Sequence, residues 1–500
     1  MAYSSGHRGV SQLRRRRLGV IHLVFFTVAA SAPLTVLGGG VTTAFAVTGL
    51  PAMSLAFLVL AATLAIFAVG YAAMSRHVAN AGAFYSYLSQ GLGRVAGVAG
   101  AFVALIAYNA IQIGLYGLFG AVTAEFASAT FGVDLAWWIW ALLALLLVAT
   151  LGVLRVDLNA RILAVLLVLE CIAVVLYDVG AFGAPAGGTI STAAFDPGQL
   201  FLPGVGAIFA FGIACFIGFE SSAIYSEECR DPQRTVGRAT FVAVAFTGLF
   251  YAVSAWAMTV NVGTENLQAA AAENGPGLVF GALAEHWGAV VADVASVLFL
   301  SSVFAALLSF HNGVARYFFA LGRERVLPEV LDTVGTRSGG PVAGSLLQSG
   351  IAALVIGVFV VNGSDPVLEL FTWFSGVAAL GVVLLMTATS ASVIGYFRRM
   401  PAGSASVWQS TVAPALACVL LGSLVVLLIA NFDALLGTDP SSPLRWILPA
   451  LVLLAAVVGA AWALALRSTR PQVYDGIGHI ALVRGEEEPR LDLPTVSRRR

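Results

Sequence analysis

Lysine is absent from this 500-residue chain, and all 26 basic residues are arginine. Charge of either sign is scarce: 10% of residues are charged, against roughly 25% in an average soluble protein. The formal net charge is zero, so the clustered basic charge that nucleic-acid binding needs is not provided in bulk. Only four cysteines occur, Cys171, Cys215, Cys229 and Cys418. They show no metal-ligand spacing, and three sit in apolar runs where cysteine acts as a small hydrophobe, so neither a disulfide framework nor a metal is expected. The six histidines are scattered over termini, loops and helix ends. Without a His-Glu-x-x-His or Gly-x-Ser-x-Gly element, a membrane-embedded enzyme is disfavoured, and no catalytic residue or cofactor is expected. A channel should show rings of like residues or a repeated filter, and neither is found.

What the chain has in quantity is apolar sequence: 59% hydrophobic residues and a mean hydropathy of +0.91. A soluble globule could not hide this surface. Apolar segments near the ~20 residues of a membrane span recur at 20–47, 50–74, 95–126, 135–154, 159–181, 203–226, 239–262, 288–319, 342–361, 367–397, 409–431 and 446–466. The expectation is therefore an all-α integral membrane protein with about twelve spans, held in the lipid bilayer.

Arginine placement tests that count, because cytoplasmic loops carry an Arg excess and each missed span would invert every later loop. Twenty-five of the 26 arginines, all but Arg445, fall on one predicted side. Both termini are accordingly expected in the cytoplasm and the protein in the cytoplasmic (inner) membrane. Arg14 to Arg17 precede an apolar stretch too long for a signal sequence, which reads as the first span. The tail 467–500 is polar and has little with which to build a core.

Two spans are interrupted. The first contains Ser31-Ala32-Pro33-Leu34-Thr35 and then Gly38-Gly39-Gly40, with Pro33 removing a mid-span hydrogen bond. The sixth contains Phe216-Ile217-Gly218-Phe219-Glu220. Broken helices are tolerated in a bilayer where the freed backbone is buried in protein or lines a cavity. Paired breaks at corresponding positions of two five-helix halves point to a transporter binding site. Half-helix N-termini suit a carboxylate and half-helix C-termini an ammonium, which favours a zwitterionic substrate. The alternative is that Pro33 and Gly218 only kink helices or allow close packing.

Among polar residues within the spans, Glu170 lies about midway along the fifth, where an acid costs at least ~2.5 kcal/mol unless paired or protonated. It is the sharpest candidate for ion coupling, with a structural acid as the alternative. Glu220 could gate, carry a proton, or cap freed N–H groups. Tyr108, Gln112 and Tyr116 share one face of the third span; Tyr108 is the candidate for the cavity wall, and interhelical hydrogen bonding is the expected role of the other two. Ser301 and Ser302 could help hold a sodium ion through oxygen ligands, or serve only as packing residues.

Three stretches resemble the amino acid–polyamine–organocation superfamily over roughly residues 15 to 470. These are Asn80-Ala81-Gly82-Ala83-Phe84-Tyr85-Ser86-Tyr87 with Gly91-Leu92-Gly93; Gly218-Phe219-Glu220 followed by Glu227-Glu228-Cys229-Arg230-Asp231-Pro232-Gln233-Arg234; and Asn312, Arg316, Arg323 to Pro328 and Gly340-Pro341. The resemblance implies two inverted five-helix repeats (18–202 and 203–400), two peripheral helices (401–466), a basic N-terminus (1–17) and a polar tail (467–500). It also implies alternating access around a substrate held between helices one and six. The implied activity is secondary active transport of an amino acid, by ion-coupled uptake with H+ or Na+. Alternatives are a polyamine or amine transporter or an exchanger of the same fold, or a membrane sensor that does not transport. Many relatives carry a Gly-(Ser/Thr)-Gly element where this chain has Pro33-Leu34-Thr35. Pro33 has no N–H, so Leu34 and Thr35 are expected to supply the donors. Some proton-coupled relatives place a lysine where Glu170 approximately matches.

Overall fold

A computed structural model describes residues 19–78, 84–154, 160–220, 232–335, 339–401, 403–437 and 441–478. The resemblance-bearing residues 80–83 and 227–231 lie outside them, as does Cys229. In a bilayer core every backbone N–H and C=O must be satisfied within the protein, which leaves helices as the available solution for apolar segments of this length. Helices α1 (Val20–Ser31) and α2 (Pro33–Thr48) are followed by α3 (Met53–Ser75), the short α4 (Phe84–Gly91), α5 (Arg94–Phe131), α6 (Trp137–Leu154), α7 (Ala160–Gly183) and α8 (Val205–Phe216). The second half holds α9 (Pro232–Val262), α10 (Leu267–Asn274), α11 (Gly277–Trp287), α12 (Ala289–Arg323), α13 (Val342–Val361) and α14 (Pro366–Phe397). It closes with α15 (Trp408–Ala430), α16 (Phe432–Leu436), α17 (Leu444–Thr469) and α18 (Pro471–Gly476).

Among the described residues ten helices are long and apolar enough to cross a membrane: α3, α5, α6, α7, α9, α12, α13, α14, α15 and α17. Each matches one expected segment. The two remaining segments, 20–47 and 203–226, are the ones expected to be broken, and both are interrupted. The 38-residue α5, about 57 Å long at 1.5 Å per residue, is the pillar of the bundle and packs against α4, α6, α12, α14 and α17. Outward-facing leucines and valines such as Leu146, Leu354 and Val457 are more than half exposed. In water they would form an aggregating surface; in a bilayer they face acyl chains.

The arginine-bearing ends gather at one end of the bundle. Arg94, opening α5, pairs with Asp475 of α18 at 2.7 Å, and Arg399, beyond α14, donates to the Gln90 carbonyl of α4 at 3.3 Å. Arg445, the exception on the sequence, lies at the start of α17 and pairs with Asp433 of α16 at 3.5 Å.

Away from the breaks, α5, α12 and α13 are tied by buried polar side chains. Gln348 of α13 donates to Gln112 of α5, Gln112 donates to the Leu307 carbonyl of α12 at 3.3 Å, and His311 of α12 meets Ser345 of α13 at 2.6 Å. Tyr116 completes the group as an acceptor from Gln112 at 3.5 Å. A Cβ on Gly152 of α6 would lie 2.4 Å from His311 Nε2, so the missing side chain lets α6 close on the pair. Gln112 is thus an interhelical tie, and Tyr116 bonds to it within α5. We expect Gln112→Leu to lower stability by about 1 kcal/mol, because it strands the Gln348 amide. Thermal melts in detergent should show Gln112→Leu combined with Gln348→Leu to be less destabilised than Gln112→Leu alone.

Candidate functional site

The first interruption is set by proline. Pro33 removes one N–H, and its ring disfavours helical backbone at the residue before it. Ala32 accordingly takes a left-handed conformation (φ 50°, ψ 76°) between α1 and α2. After one helical turn, α2 widens into π-helical backbone from Val36 to Val41, spanning the three glycines. Cβ atoms at Gly38, Gly39 and Gly40 would lie 2.8, 2.8 and 2.6 Å from atoms of Phe299, Leu118 and Cys215. The bare backbone therefore lets α12, α5 and α8 approach this segment closely.

The groups freed by the break find partners on neighbouring helices. The Ser31 carbonyl accepts the Tyr251 hydroxyl of α9 at 3.5 Å. The Leu34 N–H is turned to the carboxylate of Glu170 on α7. Glu170 is 5% exposed and also accepts from the Ser302 hydroxyl of α12 at 2.7 Å. Ser302 in turn accepts from the Thr35 hydroxyl at 3.0 Å. Four residues that the sequence singles out separately, Leu34, Thr35, Glu170 and Ser302, thus form one cluster at the N-terminus of α2. Ser301 does not join it, because its hydroxyl bonds back to the Leu298 carbonyl of its own helix at 2.8 Å.

The second interruption follows Phe216. Gly218 adopts φ 113°, a conformation that side-chain-bearing residues rarely take. The chain doubles back so that Glu220 reaches its own break: Oε2 accepts the Gly218 N–H at 3.0 Å and Oε1 accepts the Tyr108 hydroxyl at 2.7 Å. The Tyr71 hydroxyl donates to the Glu220 carbonyl at 3.4 Å. In this geometry Glu220 caps the freed Gly218 N–H.

Between the two breaks lies a cavity of about 50 Å³. Ser31, Ala32, Thr35 and Ile217 line it, as expected from the sequence. Pro33, Leu34, Tyr108, Phe216, Gly218 and Phe219, also expected there, do not. Phe216 packs against Phe57 and Tyr251 with ring centroids 6.0 and 6.3 Å apart, and Phe219 packs on Phe67 at 6.1 Å. The polar end of Tyr108 is held by Glu220, and its ring stacks on Phe310 at 6.4 Å. Phe310 itself forms part of the wall, with Phe211 of α8 and Phe371 and Ser375 of α14. Sequence reasoning missed these four, since an aromatic or serine in an apolar helix carries no mark of the direction it faces. Among the described residues the buried Ser375 hydroxyl has no hydrogen-bond partner, and no acidic side chain lines the cavity.

The family profile described as amino acid permease matches residues 18–456. Among curated proteins, uncharacterised transporters of Mycobacterium tuberculosis and Mycobacterium bovis are 29% identical over 231 residues, 46% of this chain and 47% of theirs. The chain thus spans about half the length of these relatives. A branched-chain amino acid permease of Lactococcus lactis is 27% identical over 334 residues, 62% of this chain and 68% of its own. A branched-chain amino acid permease of Bacillus subtilis is 23% identical over 382 residues, 71% and 76% of the respective chains.

Replacing Ser302 by alanine removes a donor from Glu170 and the acceptor of Thr35, and should cost about 1–3 kcal/mol for the buried polar groups left short of a partner. Thermal unfolding should show Ser302→Thr, which keeps the hydroxyl, losing clearly less.

Proposed function

The chain belongs to the amino acid permease family, and from that premise we propose that it is a secondary active transporter for an amino acid with a branched or small apolar side chain. Uptake runs across the cytoplasmic membrane by alternating access and is coupled to protons. The twelve-span layout of two inverted five-helix repeats, 18–202 and 203–400, with 401–466 peripheral, agrees with breaks in the first and sixth segments. The arginine-bearing end of the bundle is the cytoplasmic one, in keeping with the positive-inside rule.

The observation that carries this reading is the Glu170 cluster beside the cavity. Thr35 lines the cavity, and its N–H is one of the orphan donors that open α2. A substrate carboxylate placed there shares one half-helix N-terminus with Glu170. Two like charges ~4 Å apart at an effective dielectric of ~20 repel by about 4 kcal/mol. A proton on Glu170 relieves that repulsion, so the substrate and the proton bind together. The Ser375 hydroxyl supplies a further polar contact for the substrate, and the aromatic walls accept its side chain.

The apolar walls and the names of the Lactococcus and Bacillus relatives support a branched-chain substrate. Among the described residues the wall carries no acid, which speaks against a polyamine. A cavity of about 50 Å³ is far below the ~300 Å³ of an ordinary ligand site, so substrate entry requires Phe211 or Phe310 to swing aside during the transport cycle. Sodium is the competing coupling ion, with Glu170, Ser302 and Thr35 as oxygen ligands, and the same assay separates the two.

In proteoliposomes, labelled leucine, isoleucine or valine should accumulate under an imposed proton gradient, more strongly as the outside is acidified. A sodium gradient alone should not drive uptake, and arginine or putrescine should not compete; accumulation under sodium alone would overturn proton coupling. Glu170→Gln, which mimics the protonated acid, should keep leucine exchange between preloaded vesicles and lose proton-driven accumulation. Gly218→Val adds backbone strain of about 1–3 kcal/mol at a positive φ and should reduce uptake to background with protein still in the membrane; retained uptake would refute a role for the second break.

A further inference from the structure

The polar tail predicted from Arg467 onward does not simply hang from the bundle. α17 runs to Thr469, α18 follows, and the chain then turns under the arginine-bearing end. Ile477 is fully buried, the one large apolar side chain of this segment to be so. The Gly478 N–H donates to the carboxylate of Glu324, the residue that closes α12, at 3.0 Å. The same carboxylate accepts the hydroxyl of Tyr85 on α4. Gly478 has φ 78°, and a Cβ there would lie 2.8 Å from Ser89 Cβ of α4, so only glycine seats the segment this closely. On the outer side Arg94 holds it twice, through the Asp475 carboxylate at 2.7 Å and the Asp475 carbonyl at 2.9 Å. The Arg94 guanidinium also lies over the Tyr474 ring at 5.3 Å.

We infer that residues 470–478 are a latch on the inner gate: docked, they hold α4 against the ends of α5 and α12 and keep the arginine-side mouth shut, and undocking is required for it to open. Here α4 and α12 are joined through the Glu324 carboxylate, which takes the Tyr85 hydroxyl from α4 and the Gly478 N–H from the tail segment. A mouth that opens by separating α4 from α12 has to break the Tyr85–Glu324–Gly478 contacts and withdraw Ile477 into water. Side chains connect the latch to the site. Tyr317 of α12 sits against the Tyr85 backbone, its ring lies 6.1 Å from that of Tyr108, and Tyr108 donates to Glu220 at the second break. A rearrangement at Gly218 and Glu220 therefore has a contiguous packed route to the gate, and the latch biases the same two-state element from its other end.

This inference rests on the alternating-access reading, yet its test needs no substrate. Hydrogen–deuterium exchange of the full chain in nanodiscs reads the gate directly. In the unsubstituted protein the amides of 471–478 and 84–91 should be protected. Asp475→Ala, at an exposed site that leaves the core intact, and Ile477→Asp, which expels the anchor, should each speed exchange in 84–91 and 320–327 by roughly tenfold or more, with α13 unchanged. If 471–478 exchanges as a free peptide in the unsubstituted protein, or if both variants leave 84–91 as protected as before, there is no latch. Leucine uptake measured in parallel separates the two claims. Exchange as expected without uptake removes only the proposed substrate, whereas uptake with unchanged exchange removes only the latch. With both in place, Asp475→Ala should raise the rate of leucine release from the arginine side several-fold.

Discussion

Breaking a helix inside a bilayer exposes backbone groups that no water is present to satisfy, and the centre of this protein is organised around that constraint. Pro33 and Gly218 create the breaks. Each is then met by a carboxylate, Glu170 reached by the Leu34 N–H and Glu220 by the Gly218 N–H. Glu170 sits where the Leu34 N–H and the N-terminal dipole of α2 favour negative charge, and Glu220 is held by the Gly218 N–H and the Tyr108 hydroxyl, which explains how two carboxyl groups are retained in an otherwise apolar interior.

The two acids are held differently. Glu220 is bonded by Gly218 on one oxygen and Tyr108 on the other, and it closes the turn that follows α8. Glu170 belongs to a chain of hydroxyls crossing from α2 to α12 and α7, and Thr35, the first member of that chain, also forms part of the cavity wall. Charge at Glu170 and charge in the cavity are therefore linked through one helix end. Coupling between an ion and a substrate needs such sharing, because two sites influence each other only through a free energy they have in common.

Around this centre the helices divide into a part with internal polar ties and a part without them. Gln112, Gln348, His311 and Ser345 join α5, α12 and α13 into a block, on which α6 closes at Gly152. The broken segment α2 leans on that block at Gly38, against Phe299 of α12, and at Gly39, against Leu118 of α5, while Gly40 admits Cys215 of α8. Contacts made by bare backbone are shape-dependent and reversible, whereas a buried amide pair is lost only at the cost of two unsatisfied groups.

What the sequence by itself determined are the features with one-dimensional causes. Span positions follow from runs of apolar residues, and the breaks from Pro33 and Gly218, whose backbone effects are local. Glu170 stood out because a charge in an apolar run needs a reason wherever the run folds. Tertiary structure alone decided what depends on direction. A helix turns 100° per residue, so Ser302 meets Glu170 while Ser301, its neighbour, bonds its own helix. The cavity wall took Phe211, Phe310, Phe371 and Ser375 and left Phe216 and Phe219 in the packing behind it. The burial of Ile477 was equally invisible, because one apolar residue in a polar tail becomes buried only when the folded bundle, met at Glu324, 154 residues before Gly478, offers its segment a seat.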